Sequence, residues 1–323
     1  MLNEILLNNQ VLVYLLSEAV LFVLALVAFF VTAGLLRGWD FGSFSQRQFR
    51  LERRAYLVMT VISFVLVAKI LLLIYFVYAI DALSLLVPGA MCAAGVISAN
   101  GYGLNLLFVK LVILFVMLLW VALNRYDLEA KSYPIFRAKS WLFVGIFALL
   151  TLELWLDISY FIHIDITVPV SCCSALFGQL EGANPLPFGL DTRWLLILFY
   201  ALYAVNILSL LTHQKATALI ASALFVFVGY YAVVYFFGTY VYELPTHKCP
   251  FCMFQRDYYY VGYLIWGTLF VGIYEALIWS IMGLWLKTDR TKERQRALWL
   301  LSIFMLVCSA YVVVYYVRNG VFL

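Results

Sequence analysis

The residues in this sequence best suited to chemistry are its cysteines, and the richest stretch around them is HKCPFCMFQRDYYY, 247–260. Cys249 and Cys252 form a CxxC pair, whose two-residue spacer lets the sulfurs close a small ring. At a helix N-terminus the macrodipole and unpaired N–H groups favour the thiolate, so one sulfur attacks while the other resolves. Arg256, four residues after Cys252, is expected one turn further along the same helical face, as a cation that steadies a thiolate or polarises a carbonyl. The competing reading of Arg256 is a side chain that snorkels to lipid headgroups.

Three more cysteines lie in the segments 81–104 and 164–193: Cys92, and the adjacent Cys172 and Cys173. Together with the CxxC they make five, an odd number, so one stays free, binds something or pairs between chains. Cys92 either pairs with one of the vicinal cysteines or acts as a relay. The sixth, Cys308, sits in an apolar run and reads as a small buried hydrophobe. Soft thiolates also select copper(I) or zinc. His247, Cys249, Cys252 and Met253, completed by Cys92, Cys172 and Cys173, are the residues a metal-delivery or sensing site would use, with His163 as a further possible ligand. No thiol ladder crosses the apolar runs, which excludes a metal channel.

The elements that must hold these residues are membrane helices. Of 323 residues 66% are hydrophobic and 12% charged, about half the charge of a soluble domain, and the mean hydropathy is +0.99. A soluble enzyme and a nucleic-acid binder are excluded; the solvent is a lipid bilayer. Runs of about 20 apolar residues predict eight spans near 10–36, 55–80, 105–124, 141–163, 194–211, 217–241, 257–286 and 296–317. The intervening segments 37–54, 125–140, 212–216 and 287–296 carry 15 of the 21 Lys and Arg residues. By the positive-inside rule they face the cytoplasm, and both termini and five cysteines face outward. The expected compartment is the outer (periplasmic) side of a bacterial inner membrane, where disulfides persist.

Charges inside hydrocarbon are costly and are paired or functional. Glu18, Lys69, Lys110, Glu153, Asp157 and Glu275 are such residues. Glu153 and Asp157 share a helical face. With Glu18 and the two lysines they form either a self-compensating ion cluster or a proton path. Glu275 has no partner on its own helix, so it is expected protonated or in contact with another subunit.

The stretch CPFCMFQR resembles the vitamin K epoxide reductase (VKOR)/DsbB-like superfamily of membrane thiol oxidoreductases, in which a CxxC is followed by xxxR at the outer surface. In that family a cysteine loop precedes two helices and the CxxC opens the next. Here Cys172 and Cys173 precede the fifth and sixth spans and Cys249–Cys252 opens the seventh. Cys173-Ser174 and Phe188-Gly189 match the family loop. The similarity covers about 141–318 and departs in the adjacency of Cys172 and Cys173 and in lacking a fused thioredoxin-like domain.

The resemblance implies electron transfer between a periplasmic thioredoxin-fold protein, Cys172 or Cys173, the Cys249–Cys252 pair and a quinone (ubiquinone or menaquinone). Gln255, Arg256, Phe254 and Tyr258 would border the quinone headgroup. The expected protein is therefore an all-α bundle of eight transmembrane helices. A three-helix module, 1–140, would carry Cys92, and a five-helix VKOR/DsbB-like module, 141–323, the CxxC. The alternatives are thiolate copper or zinc delivery, and a non-catalytic subunit of a larger complex whose cysteines are structural. In the latter, the first three helices and the aromatic stretch 230–242 would dock other membrane subunits.

Overall fold

A computed structural model describes residues 4–39, 45–90, 92–129, 134–170, 189–245, 247–288 and 290–323. Among them are eight helices long and apolar enough to cross a membrane, as the sequence predicts, and the chain is a multi-pass helical membrane protein. It folds as two compact units, Met1–Ser171 and Cys172–Leu323.

The first unit contains α1 (Glu4–Leu7), α2 (Asn9–Gly38), α3 (Gln46–Leu83), the short α4 (Ala93–Ile97), α5 (Gly103–Glu129) and α6 (Phe136–Ile162). Asn8 caps α2 by accepting from the Gln10 N–H, and Ser45 caps α3 by accepting from the Gln48 N–H. The Ser45 cap starts α3 nine residues before the predicted span. The helix is about 57 Å long at 1.5 Å per residue, so its polar first turns project beyond the hydrocarbon.

The four long helices pack through one repeated spacing. Val11, Tyr14, Glu18, Leu21, Ala25, Ala28, Thr32 and Leu35 are the buried residues of α2. Steps of three and four alternate throughout, the heptad seam of a left-handed bundle. The same alternation runs along α5 through Leu106, Lys110, Ile113, Met117, Trp120, Asn124 and Asp127. It continues along α6 through Phe143, Ile146, Leu150, Glu153, Asp157 and Tyr160. Small and polar residues are interleaved with large apolar ones in these seams, while many other Leu, Val and Phe side chains face outward, as expected where lipid is as apolar as the core.

The two compact units divide the chain at 171/172, whereas the expected modules divide it at 140/141. The fourth span belongs to the first unit because its seam closes against α2 and α5.

The second unit contains α7 (Thr192–Leu211), α8 (Lys215–Ala232), a π-helical turn (Val233–Phe237), α9 (Gly238–Tyr242), α10 (Val261–Trp285) and α11 (Thr291–Asn319). α10 is the central helix, buried on most of its circumference. Phe199, Phe225 and Phe304 from three other helices form an aromatic core with Phe237. The π turn interrupts a continuous span, α8 to α9. It shifts the buried register by one residue, so Phe237 is buried where an uninterrupted α8 seam would bury Phe236. Each residue beyond it is turned by about 100°.

Candidate functional site

The CxxC lies on a folded cap between α9 and α10, not at the start of a long helix. Cys252–Phe254 and Arg256–Tyr258 are separate single 3₁₀ turns, and α10 begins only at Val261. Gln255, extended between them at ψ 160°, breaks any helical relation of Cys252 to Arg256. Two expectations are thereby corrected. The long-helix macrodipole does not act on this pair, and Arg256 does not share a helical face with Cys252. Arg256 and Gln255 are exposed. The physical reason is the left-handed conformation of consecutive Tyr259 and Tyr260 (φ 53° and 56°), which turns the chain just before α10.

What holds the cap is a set of groups from the flanking helices. The Tyr242 hydroxyl, at the end of α9, donates to the Cys249 carbonyl and accepts from the Met253 N–H at 3.1 Å. One phenol thus clamps both ends of the CxxC. Trp266, on the second turn of α10, donates its indole N–H to the Pro250 carbonyl at 3.3 Å. The Phe254 and Gln255 N–H groups donate to the Phe251 and Cys252 carbonyls.

The two cysteines differ in access: Cys249 is 4% exposed and Cys252 half-buried. Around them the His247 ring lies 4.2 Å from that of Tyr242, and Tyr258 meets Tyr242 edge-on at 4.7 Å. The Lys248 ammonium lies over the Tyr235 ring at 4.9 Å. Phe254 packs edge-on against Tyr263. Partial burial, followed by the neighbouring Cys252 and Asp257, raises the Tyr258 hydroxyl above the ordinary phenol range. It therefore stays protonated near neutral pH.

Met253 is fully buried and anchors the cap against α9 and α10. A Cβ on Gly262 would stand 2.7 Å from Met253 Cγ and 2.9 Å from its carbonyl carbon, so only glycine lets α10 approach this backbone. Gly262→Ala is expected to displace the cap and cost about 1–3 kcal/mol. Maleimide labelling of Cys249, slow in the parent, should accelerate while the helical content holds; unchanged labelling would refute this anchor.

In the first unit, Cys92 is buried as the residue preceding α4, whose Ala93 N–H donates to Asp81 Oδ1 at 3.1 Å. The glycine-rich segment around it is a built cap. The Tyr160 hydroxyl donates to the Val96 carbonyl, and Asn100 to that of Tyr160. Gly89, at φ +80°, presses against the Val170 backbone, where the Val170 N–H donates to the Pro88 carbonyl.

The predicted ion cluster forms. Lys69 pairs with Glu18 and with Glu153 at 2.8 Å, and Lys110 with Glu153 at 2.7 Å and Asp157 at 3.0 Å. All five side chains are at most 5% exposed. A second buried pair, Lys139 with Asp127 at 2.6 Å, lies further along the bundle. Sequence reading missed it by assigning Lys139 to a cytoplasmic loop; its signal was the seam spacing of Asn124, Asp127 and Lys139.

Glu275 is corrected: it pairs with Arg296 of α11 at 3.2 Å, within its own chain. His163 is exposed at the end of α6, its Nδ1 2.7 Å from the Ser159 carbonyl oxygen. Cys308 is fully buried in α11, as expected. Cys172, Cys173 and Phe188 lie outside the described residues.

The fold and the site thus define a multi-pass helical membrane protein with a clamped CxxC cap on one unit and a buried ion network in the other. No family model matches the chain, and no curated protein or solved structure matches it.

Proposed function

We propose that this protein is a membrane thiol–disulfide oxidoreductase whose working pair is Cys249–Cys252. The observation that carries the reading is the cap itself: a CxxC fixed at both ends by one phenol, with one cysteine buried and the other half-exposed. A purely structural disulfide does not need such a difference in access, whereas an exchanging pair does. Cys252 is the accessible, attacking sulfur of the pair, and Cys249 the resolving sulfur. The protonated Tyr258 phenol, raised by partial burial and by the neighbouring Cys252, is the donor we assign to a thiolate there.

Closing the disulfide releases two electrons and two protons, and a membrane quinone supplies the oxidising capacity for that step, leaving as the quinol. Phe254, Tyr258 and Tyr263 offer aromatic faces for the headgroup, and exposed Gln255 and Arg256 offer donors for its carbonyls. The soluble partner is a thioredoxin-fold dithiol, engaged through Cys172 or Cys173, with buried Cys92 as a relay. The Lys- and Arg-rich segments support a cap on the periplasmic side of a bacterial inner membrane. The VKOR/DsbB-like resemblance of CPFCMFQR supports the same assignment.

The test is acid-quenched thiol trapping in native membranes, followed by reduction and re-oxidation in liposomes with and without quinone. The pair should be oxidised in cells and re-oxidise only with quinone. Cys252→Ser should abolish re-oxidation and leave Cys249 reduced. Thiols that stay reduced in cells and ignore quinone would sink the proposal. About one copper or zinc ion per chain, held by those thiols, would favour metal delivery instead.

A further inference from the structure

The ion network of the first unit is short of one proton by two independent counts. The first is charge. Glu18, Glu153 and Asp157 bring three carboxylates, whereas Lys69 and Lys110 bring two ammonium groups. All are buried in membrane-spanning helices, where an uncompensated charge is expensive.

The second count is of hydrogens. The Tyr14 hydroxyl oxygen lies 2.9 Å from Glu18 Oε1 and 3.0 Å from Asp157 Oδ2, and accepts from Lys110 Nζ at 2.6 Å. The three hydrogens of Lys110 are committed to Tyr14, Glu153 Oε1 and Asp157 Oδ2. Tyr14 has one hydrogen for two carboxyl contacts. Without a further hydrogen, one of those contacts sets two lone pairs against each other.

One added proton resolves both counts. We propose that Glu18, Tyr14 and Asp157 form an intramembrane proton-binding site, which holds one proton and passes it between the two carboxyls through the Tyr14 hydroxyl. In one state Asp157 Oδ2–H donates to Tyr14, and Tyr14 donates to Glu18. In the other, Glu18 Oε1–H donates to Tyr14, and Tyr14 donates to Asp157. Moving between them breaks two O–H bonds and forms two, with no change of charge on tyrosine and no electron transferred. Asp157 Oδ1, buried with no hydrogen-bond partner among the described residues, favours the first state, because a lone carbonyl oxygen tolerates burial better than part of a carboxylate charge.

The groups facing the array are accounted for helix by helix. They are Tyr14 and Glu18 on α2, Lys69 on α3, Lys110 on α5, and Glu153, Asp157 and Tyr160 on α6; Tyr160 is committed to the Val96 carbonyl. Phe76 and Phe161 wall the site at 5.3 and 5.9 Å from the Tyr14 ring. The ligand is the proton itself. The site stands apart from the thiol chemistry proposed above and does not depend on it.

Infrared spectroscopy of the purified full chain in lipid nanodiscs at neutral pH tests this. The parent should show the carbonyl stretch of one neutral buried carboxylic acid per chain, shifting in deuterated water. Asp157→Asn and Glu18→Gln each bring the network to zero net charge and should remove that band. Tyr14→Phe, which leaves the charge count intact, should keep the band at an altered frequency. A parent without the band overturns the proposal even if every variant fails to fold. A band surviving both carboxamide substitutions overturns it too, as does a missing band with a thermal midpoint that rises on adding sodium alone, which would assign the balancing charge to a metal cation.

Discussion

Lys110→Met is expected to be the most damaging single substitution in the first unit, lowering stability by about 3–5 kcal/mol, the usual cost of breaking a buried ion network by removing one partner. Methionine nearly preserves length and apolar volume, so a cavity is not the cause. The loss is of three hydrogen bonds from one ammonium, to Tyr14, Glu153 and Asp157. Glu153 then keeps only Lys69, and Asp157 keeps no cationic partner among the described residues. Against a total stability of about 5–15 kcal/mol this is a large fraction. Thermal unfolding of the purified protein in detergent should show a much lower midpoint. Adding Asp157→Asn to Lys110→Met removes one stranded carboxylate and should recover part of the loss. A midpoint within a degree or two of the parent would mean the network contributes nothing to the fold.

The sequence told more about the number of spans than about their faces. Eight apolar runs were plain, because length and hydropathy are what a bilayer demands. Which side of each helix faces protein could not be read from hydrophobic periodicity: Leu and Val line both the lipid and the core, and only the small and polar residues mark the buried seam. Glu18 lies with Tyr14, Ala25, Ala28 and Thr32 on one three-four repeat. Reading small and polar residues for their spacing would have found the seam and, with it, Asp127 and Lys139.

The cysteine motif was legible as a redox candidate from its spacing, but its setting was not. The roles of Arg256 and the helix dipole rest on a helix that opens at the CxxC. Tyr259 and Tyr260 in the left-handed region delay it to Val261, and no residue type there announced that turn. Tyr242 and Trp266 went unnoticed because aromatic residues near membrane surfaces are routine. Their role depends on which carbonyl each one reaches.

Tyr242→Phe is expected to have the largest effect on the cap while sparing the bundle. The ring, packed against His247 and Tyr258, is retained; only the hydroxyl goes. Its loss leaves the Cys249 carbonyl without that donor and the Met253 N–H without that acceptor, at about 1–3 kcal/mol for each group left unsatisfied. That energy falls on a short cap, which should loosen long before the helices separate. Alkylation of Cys249 should therefore rise toward that of Cys252, a result that does not rest on any assumed reaction. Quinone-dependent re-oxidation should fall on the order of 10- to 100-fold, since a displacement of about 1 Å at a reacting group has that scale of effect. Trp266→Phe, which releases only the Pro250 carbonyl, should fall between the parent and Tyr242→Phe on both readouts. If Tyr242→Phe leaves both rates unchanged, the phenol is not what positions this pair. If alkylation rises and re-oxidation holds, the clamp is real and the dithiol is not the group that reacts with quinone.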